Sequence, residues 1–116
     1  MLDLVGLSRI AQRLVSETSY GERRRLEIAM ALAQKPKLLL LDEPLAGLSA
    51  DERLDVQRLL QSIPRDVTIF MIEHDMDVAL AFADFISVMH RGHLVVEGTR
   101  AEVVANPKTK EVYLGH

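Results

Sequence analysis

Leu38-Leu39-Leu40-Leu41-Asp42-Glu43-Pro44 carries four consecutive leucines straight into two carboxylates and a proline. With Pro36 on one side and Pro44 on the other, the apolar run is short enough for a strand and too short to span a membrane. An uninterrupted run of leucines predicts burial on both faces, as in a parallel sheet covered by helices. Such a strand delivers Asp42 and Glu43 together to one point. The plainer alternative is a core strand whose two acids are merely solvated at its end.

Working outward, the N-terminal neighbour is a helix. Ser19-Tyr20-Gly21-Glu22 has the Ser-x-x-Glu spacing of a capping box, and Leu26, Ile28, Ala29, Ala31, Leu32 and Ala33 supply an apolar face. The helix runs from 20 to 34 and stops at Lys35-Pro36-Lys37. Its start offers backbone amides to an anion, and Gly21 permits close approach. A capped helix without any ligand is the commoner meaning of that spacing. Further upstream, Leu2, Val5, Leu7, Ile10, Leu14 and Val15 read as two short helical pieces.

On the C-terminal side, Gly47 allows a tight turn and Ser49 caps a helix reaching residue 62, with Asp51 and Glu52 in its first turn. Val67 to Ile72 is a β-branched run and reads as a second buried strand, ending in Glu73-His74-Asp75. A helix over 75–83 follows. Strands at 85–90 and 93–97 around Arg91-Gly92 suggest a hairpin. Thr99 caps a helix through Ala105, and Asn106-Pro107 opens a last helix through Leu114. Helices alternating with apolar strands give an α/β class with a largely parallel sheet, in one domain over residues 1–116. Its parts are the first helical region (1–34), the strand region (35–98) and the C-terminal helices (99–116).

Composition narrows the possibilities. The 116 residues are 48% hydrophobic with a net charge of −3, so the chain is long enough for a core and has no global attraction to nucleic acid. Without cysteine, disulfides and thiolate metal sites are excluded. Met1-Leu2-Asp3-Leu4 lacks a basic leader, which predicts no signal peptide and a cytoplasmic setting. Arg23-Arg24-Arg25 is a local basic cluster, read as a solvated helix face or as one that complements the nearby acids.

Chemistry concentrates where two strands end, at Asp42-Glu43 and at His74. Ligands of open α/β sheets bind beyond the carboxyl ends of strands, so these side chains are expected to share a crevice. A rigidly held carboxylate suits a magnesium ion, a second one can polarise water, and an imidazole can bond a phosphate oxygen. Taken singly, His74 is an ordinary polar strand-end residue.

SYGE opening a helix, LLLLDEP after it, then AGLS and finally IEHD stand in the order and spacing of the C-terminal half of an ABC-transporter ATPase subunit, which the chain resembles. With EHDM, RGHLVVEGT and NPKTKEVYLGH, it is similar to the subunits that power branched-chain amino acid importers. The resemblance implies a partial P-loop NTPase core and assigns Thr18 to Glu22 to the signature motif, with Thr18 replacing the usual leucine. Ser19, Tyr20, Gly21 and Glu22 would then meet ATP phosphate in trans, Asp42 would be the Walker B ligand of Mg2+ through water, Glu43 the general base, and His74 the switch histidine. AGLS corresponds to the D-loop, with Ser49 in place of its usual aspartate. Arg23 stands where glutamine is common. The resemblance also implies a second ATP-binding subunit, membrane permease subunits as partners, no nucleic acid, and a place on the inner face of the cell membrane.

No G-x-x-x-x-G-K-[ST] occurs in the sequence, so the phosphate-cradling loop of that family is absent, as is its glutamine loop. The chain therefore reads as a C-terminal fragment of an ATPase, inactive by itself, with weak or absent ATP binding and exposed sheet edges prone to self-association. Two other readings stay open: a noncatalytic dimerisation or interaction module, and an ABC ATPase with a non-transport role.

Overall fold

The computed structural model describes residues 19–114. The expected helical pieces over residues 1–16, and Thr18, lie outside them. The chain divides into two compact units, Met1–Ile72 and Glu73–His116.

In the first unit, α1 (Tyr20–Ala33) and α2 (Ala50–Ser62) pack against each other, and β1 (Leu38–Asp42) pairs in parallel with β2 (Thr68–Ile72). Both helices begin as their sequences dictate. Ser19 Oγ accepts from Glu22 N at 3.1 Å while Ser19 N donates to Glu22 Oε1 at 2.9 Å, a complete capping box. Ser49 and Glu52 repeat it at the start of α2, with Ser49 Oγ accepting from Glu52 N and Ser49 N donating to Glu52 Oε1. Lys35, in the left-handed region at φ 53°, ends the turn after α1. The core combines Ile28, Ala29 and Leu32 of α1 with Val56, Leu59 and Leu60 of α2, together with Leu39 and Leu45. Val56 and Leu45 are sealed from solvent, each burial being worth about 1.5–3 kcal/mol.

The parallel register sets Leu39 beside Ile69 and Leu40 beside Phe70. Here the expectation of strands buried on both faces fails. Leu39 is buried, yet Leu38, Leu40, Phe70 and Ile72 all lie on the opposite face and are exposed, Leu40 at 69% and Phe70 at 60%. Side chains alternate along a strand, so a run of leucines places half of them on a face that nothing among the described residues covers.

The second unit contains α3 (Met76–Phe82), β3 (Phe85–His90), β4 (His93–Thr99), α4 (Arg100–Ala105) and α5 (Pro107–Leu114). The expected hairpin is present. Arg91 and Gly92 both have positive φ, at 51° and 78°, which is the two-residue turn that matches strand twist. β3 and β4 are antiparallel, with an irregularity between Val88 and Met89. Ile86, Val88, Val96 and Val103 form the core, with Met76, Leu80 and Val112 packed on it. The expected largely parallel sheet is thus a two-stranded parallel pair in one unit and an antiparallel hairpin in the other.

Candidate functional site

Asp42 is the last residue of β1, exposed at the carboxyl end of the strand. Beside it, Arg24, Ile28, Leu40 and Pro44 border a shallow cleft of about 240 Å³ in which Asp42 takes part. Glu43 follows with φ 45°, a left-handed conformation uncommon outside glycine and asparagine. Its N–H donates to the Ile72 carbonyl at 2.8 Å, so the backbone ladder to β2 extends one residue past the strand before the chain turns. The turn continues through Ala46 N to Glu43 O at 3.1 Å, and Gly47 at φ 77° lets the chain enter α2. Asp42 and Glu43 thus follow one another at the strand end, Asp42 exposed and Glu43 half-buried.

Of the two readings of the arginine cluster, the solvated face fails at Arg24. Its Nη1 donates to the Pro44 carbonyl at 2.8 Å and to the Glu43 carbonyl at 3.3 Å, and its side chain is 22% exposed. A guanidinium from α1 therefore holds the backbone of the segment that carries the two acids. An accompanying pair with Glu27 at 3.6 Å is mostly solvated and adds little.

Ser19, Tyr20, Gly21 and Glu22 sit at the cap and first turn of α1 as expected. Their amides, however, are largely taken. Ser19 N and Glu22 N are used by the capping box, and Gly21 N donates to Glu52 Oε2 at 2.5 Å. The Glu52 carboxyl is held below the usual glutamate range, chiefly by the Ser49 amide and next by the Gly21 amide.

His74 belongs to the second unit and is described there by itself. It is exposed, with Nδ1 3.7 Å from Glu73 Oε1. Glu73 is the more enclosed of the two: its side chain is 6% exposed, Oε1 accepts from the amides of His74 at 3.2 Å and Asp75 at 3.4 Å, and Oε2 is buried without a hydrogen-bond partner among the described residues. Asp75 caps α3 by accepting from Asp77 N and Val78 N.

Sequence reasoning missed Arg24, Glu52 and Glu73 as parts of these arrangements. For Glu52 a signal existed, since Ser49-x-x-Glu52 repeats the Ser-x-x-Glu spacing. The sequence marks the arginine cluster but not the partners of Arg24, which lie 19 and 20 residues away.

Residues 1–46 match the protein family described as ABC transporter. The high-affinity branched-chain amino acid transport ATP-binding protein BraF of Pseudomonas aeruginosa is 37% identical over 98% of the chain and 46% of its own length. An ATP-binding cassette of an ABC transporter, solved in its ADP conformation, superposes with a TM-score of 0.81 at 32% identity over 99% of this chain and 47% of that one. Over nearly its whole length the chain is similar to ABC-transporter ATP-binding proteins. The spermidine/putrescine import ATP-binding protein PotA of Borreliella afzelii is 41% identical over 96% of the chain and 33% of its own length. The chain spans about half the length of curated relatives it matches. Its fold class is the partial P-loop NTPase core that the sequence leads one to expect.

Proposed function

We propose that this chain is the portion of an importer's ATP-hydrolysing subunit that carries the catalytic carboxylates and the signature helix, in a single functional domain over residues 1–116. The observation that carries this reading is the fixed strand end, where Asp42 and Glu43 follow one another and Glu43 N is tied to Ile72 O. Branched-chain or related amino acids are the cargo favoured by the likeness to BraF over nearly the whole chain.

Asp42 fits the role of a magnesium ligand, since an exposed carboxylate at a rigid strand end offers hard oxygen donors to a hydrated ion. Bound there, Mg2+ would neutralise charge on the nucleotide phosphates. Glu43 accepts the proton of an attacking water, its backbone held by Arg24 and β2. The exposed imidazole of His74 donates to a phosphate oxygen, with Glu73 orienting it from Oε1. Ser19 to Glu22 face the ATP held by a second ATP-binding subunit. Permease subunits hold the assembly at the inner face of the membrane; no helix among the described residues is long and apolar enough to cross it.

Phosphoryl transfer depends on positioning, and the sequence contains no phosphate loop to anchor ATP. The isolated chain is accordingly expected to show no ATP turnover. Turnover that survives purification and disappears with Glu43→Gln overturns that expectation. The same missing motif favours a second reading, a noncatalytic interaction module. Sequencing the DNA immediately upstream of Met1 separates the two, because an in-frame phosphate loop supports the ATPase and a stop codon supports the module.

A further inference from the structure

An α-helix leaves its first four N–H groups without helical partners, and an anion seated there must bond to them. In α1 three of these four donors are already engaged within the first unit. Ser19 N donates to Glu22 Oε1, Glu22 N to Ser19 Oγ, and Gly21 N to Glu52 Oε2. The third bond joins residues 31 apart in sequence and brings in a full negative charge from another helix.

Glu52 does this while completing its own capping box. Oε1 accepts from Ser49 N at 3.1 Å and Oε2 from Gly21 N at 2.5 Å, so one carboxylate serves the positive N-terminal ends of two helices at once. The contact is close along the whole side chain. A Cβ placed on Gly21 would come within 2.6 Å of Glu52 Oε2 and 2.8 Å of both Glu52 Cβ and Cγ. The space that glycine opens beside this backbone is therefore filled by Glu52, and a phosphate oxygen seeking the Gly21 amide meets both a filled volume and a like charge. The two backbone amides hold the carboxyl in its ionised form, which keeps that charge in place at neutral pH.

We infer that Glu52 is the resident anion of the Ser19–Glu22 segment, closing the start of α1 to phosphate until its side chain is moved aside. The inference rests on the proposal that this segment meets a nucleotide phosphate, and it adds the condition under which it does so. Engagement of a partner's ATP then requires displacement of Glu52 from Gly21, and the residue acts as a built-in competitor. It is a positioning residue, since it acts on the segment rather than on the reacting atoms.

The test uses the 116-residue chain with inorganic phosphate as the probe and backbone amide NMR as the readout. In the wild type, the Gly21 amide is expected to be protected from hydrogen exchange, and phosphate is expected to leave its resonance unmoved. With Glu52→Gln, which keeps the size and removes the charge, and with Glu52→Ala, protection falls and phosphate shifts the Gly21 and Glu22 resonances saturably. The apparent affinity should be about tenfold or more above any seen in the wild type, as expected for removing one charge-assisted competitor. Equal, saturable shifts in wild type and variants overturn the inference and leave the phosphate reading intact. Absence of any shift in all three proteins overturns both. Should the variants fail to fold, a wild-type Gly21 amide that exchanges as fast as a solvent-exposed amide overturns the inference without them.

Discussion

Gly21 and Glu52 form a pair whose energetics can be read from both sides. Gly21 has helical backbone, so alanine there would gain up to about 1 kcal/mol of intrinsic helix propensity. Against this stands the overlap with Glu52 at 2.6–2.8 Å, part of it with Cβ, which cannot swing away as a carboxylate tip can. Overpacking of this kind costs about 1–3 kcal/mol and outweighs the propensity. Gly21→Ala should therefore lower the urea midpoint of the wild type, whereas in a Glu52→Gly background, which removes the opposing Cβ as well as the carboxylate, the same change should be neutral or stabilising. A cost that is the same in both backgrounds would place the clash elsewhere. The carboxylates also set a pH dependence. Glu52 and Glu102 are both held below the usual glutamate range, Glu52 first by the Ser49 amide and Glu102 first by the Thr99 amide. A depressed carboxyl adds stability above its unfolded-state pKa and loses it as pH falls through the folded-state value. Urea midpoints should decline with acidification in that range, and the decline should be shallower in the Glu52→Gln and Glu102→Gln double variant.

Between elements, Arg24 ties α1 to the turn after β1. Arg24 bonds the carbonyls of Glu43 and Pro44, and truncating it leaves both without that donor. Arg24→Ala should cost about 1–3 kcal/mol by chemical denaturation, and Arg24→Lys should recover only part of it, because an ammonium cannot reproduce the fork. Arg23→Ala, at an exposed position, should change stability by less than about 0.5 kcal/mol. This contrast explains what the sequence could disclose. Helix starts at Ser19, Ser49 and Thr99 were legible because a capping box is completed within four residues. The hairpin was legible in Arg91-Gly92, and the paired acids in the strand that carries them. Arg24 reaching Pro44 and Glu52 reaching Gly21 are tertiary contacts, so no local spacing encodes them. The burial of β1 was misread for a related reason: hydrophobicity says what a strand face can bury, whereas exposure depends on what covers it.

At the scale of the whole molecule, the uncovered strand face has a consequence for association. β1 and β2 form a sheet of only two strands among the described residues, with an outer edge on each. A two-stranded sheet is marginal in water unless its apolar face is packed, and unpaired strand edges template further pairing. Leu38, Leu40, Phe70 and Ile72 add a contiguous apolar face to those edges, larger than the scattered exposed hydrophobics of an ordinary surface. Burying that face would release more free energy than the few surface charges around it oppose, since the net charge is only −3. The isolated chain is thus expected to self-associate, with a weight-average mass by light scattering that rises with concentration. Leu40→Ser together with Phe70→Ser should shift that rise to higher concentration at little cost in stability, because both side chains are already exposed. A mass that stays at one chain across the concentration range would mean that the face is covered in solution. An unchanged rise in the double variant would locate association on a different surface.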